Sequence, residues 1–534
     1  MNPAWIPTFE SLRALLGAAQ VDEPEAAQRR YGPDTTGASR TLAGAVRVLD
    51  RGQVPDVLRM ATASGWGVHP ISTGRNWGYG SALPVTEGTL LLDLGGLRRI
   101  VDFDEELGVV TLEPGVTQGD LAAFLSQRHL DYLVPVTGAG PHCSLLGNAL
   151  ERGYGITPQT DHFGAVTAME VVLANGQVHR GMLDEAGGPE LAKLFRWGLG
   201  PYLQGLFSQS GMGVVTEISL ALAPRPERVA VALFGLADDT QLEAAVLAIR
   251  RAMQRLSPTL GAVNLMNRHR VMSMSAPYPW SELDAQGLIP PDTLERLGRQ
   301  TAVMPWTGLA TLYGTAPMVA AAQHELKRLL SGTAARLMFV TPSKANALAR
   351  IARWIPGARG ASLRRLTESL RSSLDLVNGR PNETALPLAY WRHRSTDLGG
   401  MPRHPAADGC GLIWYAPLVP MRPERARRYV QLVKRVTREH GLEPLITFTT
   451  LGDRVFDSTV PLLFDRSDAQ ATARAKACWS DLLAQGRELG CFPYRFPIDG
   501  MEALRAYAPR SCELVRQLHE AIHPRDPLAP GRYR

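Results

Sequence analysis

The ten residues Ile71-Ser72-Thr73-Gly74-Arg75-Asn76-Trp77-Gly78-Tyr79-Gly80 set three glycines and two small hydroxyl residues between two β-like runs. Glycine accepts positive φ and leaves no Cβ in the way, so successive backbone N–H groups in such a loop can converge on phosphate oxygens. The spacing differs from G-x-G-x-x-G leading into a helix, and the Gly-Lys-Ser/Thr ending of a P-loop is missing. A loop that wraps a pyrophosphate without a helix N-terminus is one reading, and a tight glycine turn is the other.

Composition narrows the context. The chain has 534 residues, 45% apolar and 20% charged, which is ordinary for a globular protein with more than one core. No apolar run is long enough for a membrane span, and the first residues carry no basic leader. Cys143, Cys410, Cys478, Cys491 and Cys512 are odd in number and lack C-x-x-C spacing, so neither a disulfide framework nor a metal site is expected, and a cytoplasmic location is. The formal charge of +6 is spread rather than focused, which argues against nucleic-acid binding; Arg425-Ala426-Arg427-Arg428 reads as a solvated helix face.

The periodicity predicts an α+β chain. A helix is expected over 54–64, strands over 67–71, 89–94 and 213–222, and a hairpin over 169–180 about Asn175-Gly176. Ala223-Pro224-Arg225-Pro226 marks a boundary. Beyond it, strands at 229–234, 307–313, 411–415 and 444–449 alternate with helices at 240–256, 318–330 and 422–440, which suits an antiparallel sheet covered by helices. Residues 343–405, rich in Pro and Arg, read as loops lining a pocket. The implied layout is an N-terminal arm (1–37), a first domain (38–226), a cap domain (227–489) and a C-terminal segment returning to the first domain (490–534).

Six segments in one order carry a family resemblance: Ile71 to Gly80, Leu112-Glu113-Pro114-Gly115-Val116-Thr117, Leu146-Gly147-Asn148-Ala149-Leu150-Glu151-Arg152-Gly153, Met169 to Gly176, Gly205 to Ser210, and Leu528-Ala529-Pro530-Gly531-Arg532. Together they resemble the flavoprotein family of vanillyl-alcohol oxidase and para-cresol methylhydroxylase. The resemblance is dense over about 65–225, returns over about 412–534 and is thin between.

It implies a two-domain FAD-binding fold with an antiparallel cap over the substrate, and an FAD-dependent oxidase or dehydrogenase. Carried over residue by residue, Ser72, Thr73, Gly74, Arg75, Asn76 and Trp77 would hold the diphosphate, Pro114 and Gly115 would shape the wall beside it, and Gly147, Asn148, Gly153, Gly213, Val214 and Val215 would contact the cofactor further along. Arg532 would face the N1/O2 edge of the flavin. Tyr79, Tyr494 and Arg495 match the group that binds a phenolate, where two O–H donors and a guanidinium lower the phenol's pKa. Hydride would then leave the benzylic carbon and a quinone methide would remain.

Two departures from the family pattern matter. The stretch Leu451 to Thr459 lacks the histidine or tyrosine that tethers the flavin in relatives, and Asn76 replaces the linking histidine of the berberine-bridge members, so non-covalent FAD is expected. The loop Pro135 to Ser144 lacks the oxidase's aspartate; His142 or Asp457 could be the base, and Cys143 could bond the ring. The expected substrate is a para-substituted phenol, with a non-phenolic allylic alcohol or specialised metabolite as the alternative and a non-catalytic flavin-binding module as the reading from another class. Oxygen or a soluble electron acceptor would take the electrons, and a homodimer is expected.

Overall fold

A computed structural model of the chain describes residues 6–354, 357–394, 402–524 and 527–534. The N-terminal end of the arm and residues 395–401 of the predicted loop region fall outside them.

The first layer is a four-stranded sheet in the order Val21–Asp22, Leu42–Arg47, Thr89–Asp93, Val68–Ile71, whose last three strands are parallel. Parallel neighbours need a crossover, and Val54–Ala63 supplies it. Pro55 sits in its first turn, where the missing N–H costs nothing. Leu90 and Leu92 meet Val54, Val57 and Leu58 of that helix. Phe9, Leu12 and Leu16 of the helix Ile6–Leu16 enter the same core, so this part of the arm is built into the first domain. The second layer is a five-stranded antiparallel sheet, Ile100–Asp104, Val109–Leu112, Val214–Ala221, Val166–Val172, Val178–His179. Its last two strands are the Asn175-Gly176 hairpin, with Val172 opposite Val178 and Gly176 at φ 83°.

The third layer is a nine-stranded antiparallel sheet, eight strands of which run from Arg336–Val340 to Phe492–Pro493, with Cys410–Tyr415 as the ninth, paired to Val455–Asp465. Helices Leu242–Leu256, Ala316–Leu329, Pro423–Glu439 and Ala469–Glu488 cover one face. Trp306, Phe448 and Phe456 are fully buried beneath them, with the Phe448 ring centroid 5.0 Å from Phe456 and 6.1 Å from Trp306. Truncating Phe448 to alanine there would cost about 3–5 kcal/mol. Side chains alternate between the two faces of a strand. Phe456, Val460, Leu462 and Phe464 therefore enter the helix-covered core, while Asp457 and Thr459 line a cavity on the opposite face.

The loops expected over 343–405 are corrected in part. Pro342–Trp354 and Gly357–Val377 are helices, and Ala345, Leu374 and Val377 pack on Val229, Val231 and Tyr313. Arginines and lysines spaced through both segments break up the apolar pattern from which a helical period is read. Ala385, Leu386, Leu388 and Ala389, in contrast, do line the cavity. The C-terminal segment crosses back to the first sheet, where Ala529 N–H donates to Val68 O at 2.7 Å. All five cysteines are buried and free. Among the described residues, no helix is long and apolar enough to cross a membrane.

Candidate active site

The strand Val68–Ile71 ends at the glycine loop, which forms one wall of a cavity of about 420 Å³ between the first domain and the cap. Gly74, Gly78 and Gly80 have φ of 65°, 78° and 122°, all in the region that favours glycine. At Gly78 a Cβ would strike the Trp414 ring of the cap, and at Gly80 it would lie 2.7 Å from Ile498. The loop is pinned from outside. Gly78 N–H donates to Thr35 Oγ1 at 2.7 Å, Trp414 N–H donates to Gly78 O at 3.2 Å, and Ser81 Oγ donates to Asp34 Oδ1 at 2.8 Å. Inside, among the described residues, no protein acceptor meets the backbone N–H groups of Thr73 through Trp77. Unpaired backbone donors on a cavity wall are what a pyrophosphate satisfies.

The facing wall is built for close approach. Ser144 Oγ donates to Pro114 O at 2.6 Å and accepts from Gly147 N–H at 3.0 Å. A Cβ on Gly147 would lie 2.5 Å from Ser72 Oγ, and one on Gly153 would overlap the Asn148 amide. Ser72 to Trp77, Pro114, Gly147, Asn148, Gly153, Gly213, Val215 and Arg532 all line the cavity. Gly115 and Val214 do not. Gly115 is fixed behind the wall, its N–H on Leu97 O at 2.7 Å and its α-carbon against the carbonyls of Gly95 and Leu97. Val214 faces the core of the first sheet, because its strand neighbours alternate around it.

Tyr79, Tyr494, Arg495 and Asp457 converge at one end of the cavity, although the chain separates the loop from the others by hundreds of residues. The Arg495 guanidinium lies 4.1 Å from the Tyr79 ring centroid and donates to Asn76 Oδ1. Tyr154 packs edge-on against Tyr494 with centroids 5.6 Å apart. Burial pushes both Tyr79 and Tyr494 well above the ordinary phenol range, so each keeps its proton as a donor. Burial likewise raises Asp457 to about 7, against the pull of Arg495, and its Oδ1 is buried with no hydrogen-bond partner among the described residues.

Glu151 is the residue that sequence reasoning left without a role. It sits between two cations, with one oxygen 3.2 Å from Arg495 Nε and the other paired to Arg532. Burial alone would raise this carboxyl, but Arg532 and Arg495 hold it below its usual range. It thus joins the Tyr79, Tyr494 and Arg495 group to the arginine at the C-terminal edge. His69 also lines the cavity, and burial, helped by Arg532, pushes it down to about 3, so it is neutral.

His142 requires a correction: its side chain is exposed and does not line the cavity. The chain turns at Pro141 so that the next residue, Cys143, faces inward instead. Cys143 Sγ donates to Ala139 O at 3.0 Å, and burial pushes the thiol up to about 12.

Comparison with known proteins decides what this cavity belongs to. Residues 42–181 match the model of an FAD binding domain. The chain is 32% identical over 524 residues, 98% of its own length and 96% of the relative's, to the 1'-carboxy-chondrochloren decarboxylase of Chondromyces crocatus. It is 27% identical over 503 residues, 93% of its length and 88% of the relative's, to the flavoprotein subunit of the hydroxylating 4-cresol dehydrogenase of Pseudomonas putida. A crystal structure of p-cresol methylhydroxylase with substrate bound superposes with a TM-score of 0.87 at 26% identity, covering 100% of this chain and 97% of that one. The chain belongs to the vanillyl-alcohol oxidase and para-cresol methylhydroxylase flavoprotein family. A member of that family is an FAD-dependent oxidoreductase, and the two-domain fold with its antiparallel cap is the family's. A 4-ethylphenol oxidase from Gulosibacter chungangensis in complex with isoeugenol, at 22% identity and a TM-score of 0.88, shares the fold.

Proposed function

We propose that this flavoprotein removes a hydride from the benzylic carbon of a para-substituted phenol. The observation that carries the reading is the convergence of Tyr79, Tyr494 and Arg495 on one end of the cavity, with a carboxyl poised near neutral pH beside them. The glycine loop and the Gly147–Gly153 wall would hold FAD, which supplies the two-electron acceptor. Two protonated tyrosines and a guanidinium at one end of a cavity are the groups that would stabilise a phenolate there. Asp457 is the proton acceptor as the phenol ionises, because its pKa lies near the operating pH. Glu151 holds Arg495 and Arg532 in place.

Attachment of FAD is proposed to be non-covalent. The cap strand Val455–Asp465 lends Asp457 and Thr459 to the cavity rather than a histidine or tyrosine, and Cys143 is held as a protonated thiol. A soluble protein of the cytoplasm, active as a homodimer and passing electrons to oxygen or a soluble acceptor, completes the reading.

A second reading is favoured by the 32% relative, whose name describes the loss of a carboxyl group. In a phenol with a carboxylate one carbon beyond the benzylic position, hydride loss would leave a quinone methide. The C–C bond to the carboxyl would then break, its pair forming the side-chain alkene as the ring regains aromaticity and CO2 departs. Two electrons leave as the hydride, and no further co-reactant is needed.

The test is the visible spectrum of the purified protein before and after acid precipitation, then anaerobic addition of 4-alkylphenols. Colour in the supernatant and bleaching by a phenol are expected. Colour retained in the pellet would overturn non-covalent attachment. Failure of every phenol to bleach the flavin would move the assignment to the non-phenolic allylic alcohols, and a flavin that no substrate bleaches would leave a binding module without catalysis.

A further inference from the structure

The cap wall of the cavity holds a cation that, among the described residues, no carboxylate answers. Arg270 lies in the helix Arg268–Ser275, whose first turn is fixed by Asn267 Oδ1 accepting from the Arg270 N–H at 3.1 Å. Its side chain enters the cavity beside Leu388, Leu412 and Trp414. Nε donates to Thr447 Oγ1 at 3.0 Å, and the guanidinium lies 5.7 Å from the centroid of the Trp414 ring. Nη1 is buried and, among the described residues, has no hydrogen-bond partner. Of the carboxylates that line the cavity, Glu151 pairs with Arg495 and Arg532, and the guanidinium that acts on Asp457 is that of Arg495.

Burial without a counter-charge is costly for a guanidinium, which cannot shed its proton near neutral pH; burial pulls Arg270 down only to about 10. An anion entering the cavity would offset that cost. The place of Arg270 says which anion. Thr447 pairs across the sheet with Thr459, two residues along the strand from Asp457 and on the same face. Arg270 therefore stands on the substrate-facing floor that also carries Asp457, whereas the free N–H groups for a pyrophosphate lie on the glycine loop. With Nε spent on Thr447, the terminal NH2 edge remains, and that edge can grip a carboxylate through two parallel hydrogen bonds.

We propose that Arg270 anchors a carboxylate on the side chain of the substrate, so that the substrate class is a para-substituted phenol with a carboxylate at the end remote from its hydroxyl. The placing of the hydroxyl rests on the reading of Tyr79, Tyr494 and Arg495 given above. The anchor itself rests on Arg270 alone.

The experiment uses the FAD-loaded protein and three probes: 4-propylphenol, 3-(4-hydroxyphenyl)propionate, and 3-phenylpropionate, which keeps the carboxylate and lacks the hydroxyl. Binding is read from the perturbed flavin spectrum, and reduction from anaerobic bleaching. The wild type is expected to favour 3-(4-hydroxyphenyl)propionate over 4-propylphenol by about tenfold or more in bleaching rate over Kd. Arg270→Gln should bring that ratio close to one, and Arg270→Lys should keep part of it. A wild-type ratio near one, or an unchanged ratio in Arg270→Gln, refutes the anchor. So does an Arg270→Gln protein that folds but purifies without FAD, since the residue would then serve the cofactor. If neither phenol bleaches the flavin, the phenol reading fails by itself and 3-phenylpropionate decides the anchor: a Kd weakened about tenfold or more in Arg270→Gln sustains it, and an unchanged Kd ends it.

Discussion

Asp457→Asn removes a charge while keeping the shape of the side chain, and its consequences follow from where Asp457 sits. The carboxyl is raised from 3.8 to about 7 by burial. A shift of about three pK units corresponds to about 4 kcal/mol against the ionised form. Above about pH 4 the unfolded chain releases this proton, while the folded protein keeps it until about pH 7. Stability therefore falls across that window, and the penalty is complete above it. The asparagine variant carries no such penalty. The gap between the two proteins should widen as pH rises from about 4 to 7, and the variant should melt higher at pH 8, by about 5 °C or more. The same substitution should remove the step near pH 7 from the rate of flavin bleaching by a phenol, and lower the plateau by about 10²-fold or more. Thermal melts from pH 4.5 to 8.5 and anaerobic stopped-flow over pH 6 to 8.5 supply the two readouts. A variant no more stable than the wild type at pH 8 would show that the carboxyl is not held neutral by burial. A bleaching profile that keeps its step would assign the proton to another group.

Arg495→Met should lower phenol turnover by about 10²-fold or more, and a comparable rate with a phenol in variant and wild type would reject its role at the oxygen. Glu151→Gln leaves two buried guanidinium groups without their shared counter-ion, so a loss of about 3–5 kcal/mol is expected by thermal or denaturant unfolding; an unchanged midpoint would mean the triad is solvated. Gly147→Ala puts a methyl 2.5 Å from Ser72 Oγ, and the protein should purify with less FAD than wild type, read as the ratio of flavin to protein absorbance. Full flavin occupancy would show that the wall gives way.

What could be read from the residues follows the range of the forces involved. The glycine loop was legible because its geometry is local: φ and close approach are set within ten residues. The meeting of Tyr79 with Tyr494 and Arg495 is a tertiary fact, and only the family resemblance placed them together. Glu151 sits within a motif yet shows no role there, since a lone carboxylate next to an arginine reads as surface until two distant cations are brought to it. Arg270 lies where the resemblance is thin, and its helix has no sequence signal beyond the Asn267 cap. His142 and Cys143 show the limit most plainly, because one step of backbone direction decides which neighbour faces the cavity.

The strand Val455–Asp465 keeps two ledgers apart. Its even positions from Phe456 to Phe464 hold the cap together, and its odd positions Asp457 and Thr459 face whatever the cavity admits. Substitutions at the odd positions can change the chemistry offered to a ligand without disturbing the packed layer behind it. A family built on such a strand can diversify its substrates by point mutation while its architecture stays fixed, and Asp457 and Thr459 are the positions at which laboratory evolution of this protein should begin.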